Sequence, residues 1–288
     1  MSRIVLAYSG SAATAGSVRW LAGRHDAEVV TLTLDLGQGK ELEAVRDRAF
    51  SIGAVRAHVL DVHDQFVRDY LLRAFKAGAV FDGERSLVPA LNRPLIAERL
   101  VEIARIEQAT VVAHACAPGD DRIATAVRML DPAFTVIVVP RDAATPAASA
   151  RHAMPIPSEP AFVDVGFDRG APVAINRISM PLLDLISSLG IIARAHGIPD
   201  ALQILSTAHD HLQQAVTPKA DGDVRRRYIA ILDSGEWFGA ERQKLDGAIA
   251  KTQERVSGTV RLKLFQAGCE IVSCQATKSS KKKLTVIA

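Results

Sequence analysis

Cysteine is scarce in this chain of 288 residues: Cys116, Cys269 and Cys274 are the full set, and none forms a C-x-x-C pair. An odd count without paired spacing argues against a disulfide framework, and the thiols suit a reducing compartment. Excess charge is lacking too. The formal net charge is +3, which gives no reason to expect a nucleic acid or a membrane surface as partner. The one basic run, Lys281 to Lys283, reads as a solvated tail. No apolar stretch is long enough to span a bilayer, and Met1-Ser2-Arg3 followed by a short strand is unlike a signal peptide. Internal repeats are absent. The expectation is a soluble cytoplasmic protein that handles a small molecule.

What is present is ample apolar material. Hydrophobic residues make up 48% and charged residues 23%, enough to close a core of one large or two modest domains. Ile4 to Tyr8 is a short apolar run that stops at Ser9-Gly10 before a helical pattern from about Ala12 to Leu21. Val29 to Leu34, Val59-Leu60, Thr110 to Ala113 and Thr135 to Val139 read as further strands. Helical patterns lie between them, over Glu41 to Phe50, around Phe66, Tyr70 and Phe75, and in a long helix that Pro94 is expected to start. Strands alternating with amphipathic helices predict an α/β fold, a parallel doubly wound sheet over residues 1–142. Ligands of such sheets sit beyond the carboxyl ends of the strands, so the loops after Tyr8, Asp35 and Ala113 point toward any site. An Ala/Ser/Pro-rich linker over 143–161 precedes a second region, 162–288. There, Pro181 to His196, Asp223 to Leu232 and Ala240 to Val256 read as helices. Val260, Leu262 and Leu264 alternate with Arg261 and Lys263 as in a half-buried strand.

Several strings occur in a distinctive order. They include Ala7-Tyr8-Ser9-Gly10, Asp35-Leu36-Gly37-Gln38-Gly39-Lys40-Glu41, Phe66-Val67-Arg68-Asp69-Tyr70, Arg93-Pro94-Leu95-Ile96-Ala97 and Ala113-His114. Far downstream come Trp237-Phe238 and the long run from Lys251-Thr252-Gln253-Glu254 to Lys263-Leu264. In these the chain resembles argininosuccinate synthases, over about 1–142 and 162–275. The resemblance implies an ATP-pyrophosphatase-type (adenine-nucleotide-hydrolase-like) nucleotide domain followed by a reduced α+β synthetase domain. Members of that family activate the ureido oxygen of citrulline with ATP and Mg2+, release pyrophosphate, and let the aspartate amine displace AMP.

The resemblance also locates a site and shows where this chain departs from it. The family phosphate loop S-G-G-x-D-[ST]-S appears here as Ser9-Gly10-Ser11-Ala12-Ala13-Thr14-Ala15. Ser9, Gly10 and Thr14 match, whereas Ser11, Ala13 and Ala15 do not. Each lost hydrogen bond to a charged group removes about 1.5–3 kcal/mol. The resemblance therefore implies nucleotide contacts at Ala7, Tyr8, Ser9, Gly10, Ser11, Thr14, Gln38 and Ala115, with the phosphate end weakened. Gly37-Gln38-Gly39 equally fits a tight turn after the second strand. Phe81 to Pro94 aligns with the family stretch Y-E-G-R-Y-L-L-G-T-x-L-A-R-P, with Arg85 for tyrosine and Pro89 for threonine. Arg93 is retained, either to clamp a substrate carboxylate or as the surface partner of a helix start. Ala113 to Asp121 aligns with A-H-G-x-T-G-K-G-N-D-Q, one residue shorter. Asp120 and Asp121 fall where the family has its Asn-Asp pair for substrate, and the extra carboxylate opposes a dicarboxylic ligand. Cys116 reads as a buried thiol.

Whole segments are missing as well. The motif N-L-W-G-R-S-I-E-G-G gives way to the linker, V-G-M-K-S-R-G-V-Y-E to Ile204 through Ala215, and no oligomerisation arm follows the last hairpin. No metal site is expected, because His209 and His211, two apart on a helix, do not face one another. Three readings follow. One is a family member with weak or lost ATP binding and a binding or assembly role, as a homodimer or monomer or beside a catalytic relative. The second is a rewired, AMP-forming C–N ligase acting on another substrate. The third is ordinary argininosuccinate synthesis for arginine.

Overall fold

A computed structural model describes residues 2–37, 42–117, 119–139, 157, 159–217 and 222–277. In chain order the elements begin with Ser2–Ala7 (β1), Ala12–His25 (α1), Ala27–Asp35 (β2), Leu42–Ser51 (α2) and Arg56–Asp61 (β3). A helical segment follows, His63–Gln65 (α3), passing through a π-helical stretch at Phe66–Leu71 into Leu72–Lys76 (α4). Next come Phe81–Asp82 (β4), Arg85–Ser86 (β5), Val88–Ile106 (α5), Val111–His114 (β6), Arg122–Leu130 (α6) and Thr135–Val138 (β7). The remainder is Ala161–Asp168 (β8), Ala171–Ile175 (β9), Ile178–Ser179 (β10), Leu182–Ala195 (α7), Ala201–Val216 (α8), Gly222–Ser234 (α9), Ala240–Gln253 (α10), Gly258–Phe265 (β11) and Gly268–Ala276 (β12).

The chain groups into two units, neither of them contiguous. The first comprises Met1–Leu71, Phe81–Arg151 and Arg226–Lys244; the second comprises Leu72–Val80, His152–Arg225 and Leu245–Ala288. The fold thus sends 72–80 to the second unit and returns 226–244 to the first, a division that apolar periodicity does not encode.

In the first unit five parallel strands lie in the order β3-β2-β1-β6-β7. Side chains alternate across a strand, so Ile4, Leu6 and Tyr8 pack on one face with Val18, Leu21, Val45 and Ala49 of α1 and α2. Val5, Val30, Leu32 and Val112 pack on the other with α5 and α6, through Leu100, Ala104, Ile123 and Val127. Both faces are covered, as near-continuous apolar runs require. Strand order reverses at β1, between β2 and β6, so the crevice beyond its carboxyl end is where such sheets hold ligands.

Pro94 does not start α5. The helix begins six residues earlier, at Val88, with Pro89 in its first turn and Pro94 buried inside it. Pro89 has the N-terminal position that proline favours. Pro94 leaves one carbonyl of the preceding turn without its helical donor.

The second unit is an antiparallel sheet, β10-β9-β8-β11-β12. Val163, Val165 and Phe167 of β8 and Val260, Leu262 and Leu264 of β11 point inward, beneath Leu185 and Leu189 of α7 and Leu205, Ala208 and Leu212 of α8. His209 belongs to this core: its Nε2 lies 3.0 Å from Gln253 Oε1, between the rings of Phe75 and Phe167. Gln253 in turn donates to Gln213 Oε1 and to the carbonyl of Lys76. Among the described residues no group of three or more metal-ligating side chains occurs. No described helix is long and apolar enough to cross a membrane.

One turn in the first unit tolerates no side chain. Gly235, just after α9, has φ +80°, and a Cβ there would lie 2.6 Å from Arg122 Cα and 2.7 Å from its carbonyl oxygen. Gly235→Ala should therefore destabilise the protein by at least about 2 kcal/mol, from left-handed strain plus a backbone clash. Urea unfolding tests this. A variant within about 0.5 kcal/mol of the parent would contradict it.

Candidate functional site

A cavity of about 250 Å³ opens at the reversal point of the parallel sheet. It lies where the topology puts it: Ala7, Tyr8 and Ser9 follow β1, Leu34 and Leu36 mark the end of β2, and His114, Ala115 and Cys116 the end of β6. Asn92, Arg93 and Ile96 of α5 and Ile123 of α6 close the other side, and Thr14 of α1 reaches in. Of the predicted nucleotide contacts, Ala7, Tyr8, Ser9, Thr14 and Ala115 thus meet around one cavity, together with Arg93. Gln38 lies outside the described residues. Gly10 is buried at φ +72°, and a Cβ there would press on the Val45 methyls at 2.9 Å, so the turn into α1 needs glycine.

The phosphate-loop hydroxyls are occupied with one another. Ser9 Oγ lies 2.8 Å from Ser11 Oγ and 3.2 Å from Thr14 Oγ1, and Thr14 Oγ1 donates to the carbonyl of Ser11 at 3.1 Å. Ser11 is the exposed N-cap of α1, with its hydroxyl turned back onto the loop rather than capping the helix. Arg48 donates Nη1 to the carbonyl of Gly10.

Three residues of the cavity lining also carry polar atoms that are closed to solvent. His114 is 1% exposed and neither ring nitrogen has a partner among the described residues. Tyr8 Oη and Asn92 Oδ1 are likewise buried without one. Burial holds the His114 imidazole below the ordinary histidine range, although Asp120 pulls the other way. A neutral ring offers one donor and one acceptor. Orphaned polar atoms of this kind each cost about 1–3 kcal/mol, and these four are closed to solvent behind the cavity wall. The sequence contains the Ala113-His114 pair, but nothing in it tells a strand-end histidine that faces a ligand from one that packs. Asn92 carries no local signal at all.

Asp120 sits beside the cavity between two guanidinium groups. Arg122 grips it bidentately, Nε to Oδ1 at 2.7 Å and Nη2 to Oδ2 at 2.9 Å. Arg93 adds Nε and Nη2 to Oδ2, at 3.1 and 3.0 Å. Burial pushes the Asp120 carboxyl up, but the hydrogen bonds and charges of Arg122 and Arg93 outweigh it and hold the group down at about 2. The carboxylate that Arg93 clamps here is the protein's own. Alongside, Arg85 donates to Asp233 and Asp82, while Asp121, at the start of α6, makes no side-chain cap. Arg122 and Asp233 join this cluster from segments with no sequence-local sign of it, and Asp233 stands 148 positions from Arg85. Cys116 is half-buried on the cavity wall rather than sealed in the core, because it leaves the end of β6 at the crevice.

Two family models match this chain. One, described as the arginosuccinate synthase N-terminal HUP domain, covers residues 3–153, and the other, the C-terminal domain, covers 199–285. The chain belongs to the argininosuccinate synthase family. The argininosuccinate synthases of Bacillus thuringiensis (strain Al Hakam) and Bacillus cytotoxicus are each 30% identical to it, over 92% of this chain and 85% of theirs. Those alignments run over 342 positions, more than the 288 residues present, so the synthases carry residues that this family member lacks. Two solved structures align less well. They are a predicted subunit of tRNA methyltransferase from Methanocaldococcus jannaschii (TM-score 0.33, 12% identity, 48% of this chain and 69% of that one) and NAD+ synthetase from Burkholderia pseudomallei (0.26, 22%, 39% and 44%). Both scores are too low to bear on function.

The Asp120 cluster has a pH signature. Its carboxyl titrates lower when folded than when unfolded, so the stabilisation is complete above the unfolded pKa of roughly 4 and is lost as pH falls. It fades toward the folded value of about 2. Asp120→Asn should cost about 1–3 kcal/mol at pH 6, between the limits for surface and buried pairs, and the difference from wild type should close as pH falls to 3 and below. Urea unfolding of both proteins across this range measures it. A pH-independent difference would contradict the assignment.

Proposed function

We propose that this family member retains a nucleotide cavity but does not ligate citrulline to aspartate efficiently, and that it works by binding. The observation that carries this reading is the Arg93–Asp120–Arg122 cluster. A dicarboxylic amino acid entering there must displace an internal carboxylate already held by four short contacts, and it meets a second negative charge at Asp121. The self-bonded hydroxyls of Ser9, Ser11 and Thr14 add to this at the phosphate end, where donors would have to be broken from one another before serving an oxyanion.

ATP, with Mg2+, is the cofactor that family membership implies. The lining of Leu34, Leu36 and Ile96 with Tyr8, Asn92 and His114 suits the base and sugar end of such a ligand. When bound, ATP would supply adenylation of an acceptor oxygen. This chain's own contribution is to orient the nucleoside between Leu34, Leu36 and Ile96 and to exclude water from it. The protein is taken to act on a small molecule in the cytoplasm, as a homodimer or beside a catalytic relative.

A second reading has one specific observation in its favour. Asp121 has no ion pair among the described residues and stands at the edge of the cluster, where a carboxylate can receive an amine. That arrangement suits an AMP-forming C–N ligase with a cationic amine as nucleophile.

Pyrophosphate release separates the readings. With citrulline, aspartate and Mg-ATP the expected turnover is below about 0.01 per second, three orders under the enzyme median; a faster rate would refute the first reading. AMP formation that depends on an added amine other than aspartate would establish the second.

A further inference from the structure

A second cavity, of about 290 Å³, lies wholly within the second unit, bounded by the end of α4, by α8 and α10 and by the first turn of α9. Its size is near the lower end of the ~300–1,000 Å³ usual for small-molecule sites. None of its side chains is among the contacts that the family resemblance implies. Ile249 and Gln253, both buried, form its floor, and the exposed Asp210, Gln214 and Arg225 stand at its rim. Between floor and rim lie Lys76 and Gln213, both half-buried.

The directions of the hydrogen bonds at this floor follow from one atom that can only accept. The carbonyl of Lys76 lies 3.0 Å from Gln253 Nε2, which therefore donates to it. The same nitrogen reaches Gln213 at 2.8 Å, so Gln213 presents its oxygen there. Gln213 Nε2 is left on the other arm of the amide, a donor without a partner among the described residues. Lys76 Nζ likewise makes no hydrogen bond or ion pair among them. Burial pushes the Lys76 amine below the ordinary lysine range; Asp168 pulls the other way, and Arg169 adds to the depression. A cation held half out of water with no counter-ion carries a desolvation cost that an anion in the cavity would offset. Lys76 Nζ and Gln213 Nε2 are donors only, and both residues are tied to one nitrogen of Gln253. A planar, negatively charged group that only accepts is their complement.

We propose that this cavity binds a small organic carboxylate, held between the Lys76 ammonium and the Gln213 amide. The inference does not draw on the nucleotide-cavity reading and stands or falls apart from it. Asp210 at the rim distinguishes two sources of the ligand. An amino acid gains a partner there for its own ammonium, whereas a plain carboxylic acid gains nothing from it.

Competitive acylation of lysines in the full chain, read by mass spectrometry, tests this with propionate, propionamide, alanine and inorganic phosphate as probes. Propionate at saturation should slow acylation of Lys76 at least about fivefold, as mass action requires of a ligand that covers the amine. The exposed Lys244 and Lys251 should be unaffected. Propionamide, of the same size without the charge, should not protect. Alanine acting at lower concentration than propionate identifies the ligand as an amino acid, and the reverse order identifies a plain carboxylic acid. Equal protection by propionamide or by phosphate, or protection by none of the four, overturns the site. Gln213→Glu keeps the oxygen that Gln253 needs and puts a second acceptor in place of the free donor. It should weaken propionate at least about tenfold without lowering the melting temperature. Undiminished protection in that variant overturns the assignment. Lys76→Met keeps the apolar stem and should abolish the rise in melting temperature that propionate gives the parent. A rise that persists overturns the assignment as well.

Discussion

One carboxylate held by two guanidinium groups ties the loop after β6 to α5 and α6 beside the crevice. Asp120 takes three contacts on Oδ2 and one on Oδ1, and its side chain is only 9% exposed. Pairs this close to burial are not strongly stabilising, because desolvation offsets most of the attraction. Their effect is larger on specificity, since removing one partner leaves charge stranded. In this chain the arginine that the family motif retains is committed to an internal carboxylate within the first unit.

The architecture makes this pairing possible without disturbing the sheet. Strand order reverses at β1, so the loops after β1 and β6 and the helices α5 and α6 converge on one crevice. α5 brings Asn92 and Arg93 together on adjacent positions. α6 starts at Arg122, immediately beyond Asp120 and Asp121, so the acidic pair and its basic partner are set by one turn of chain. The packed strands beneath, with Val5, Leu6, Val112 and Ala113 fully buried, do not depend on which ligand sits above them. Loops can change chemistry while the core keeps the fold.

Much of this was legible beforehand, and the reason varies by element. The parallel sheet follows from apolar runs alternating with amphipathic helices, and the site's place follows from strand ends. Arg93 and Asp120 both stand out in the sequence as candidates for substrate contact. Their mutual pairing does not, because each is weighed against an external ligand, and a contact 27 positions apart leaves no mark in local pattern. Pro94 was misplaced since proline favours a first turn, and Pro89 claims that turn instead. An isolated thiol such as Cys116 reads as buried, yet a residue just past a strand end faces the crevice. His114 and Asn92 give no such sign, because sequence does not display a hydrogen bond that a buried atom lacks.

The return of residues 226–244 to the first unit bears on how the molecule can be dissected. Trp237 is 3% exposed there and stacks on Tyr70 with ring centroids 5.3 Å apart, while Tyr228 meets it edge-on and Phe238 packs against the sheet core. A fragment cut at the Ala/Pro-rich linker would strip this aromatic plug from its own hydrophobic floor. It would expose apolar surface and invite aggregation, even though every strand of the parallel sheet were present. The nucleotide half is therefore a unit of space and not of chain, and it completes only after the polypeptide has left it and come back.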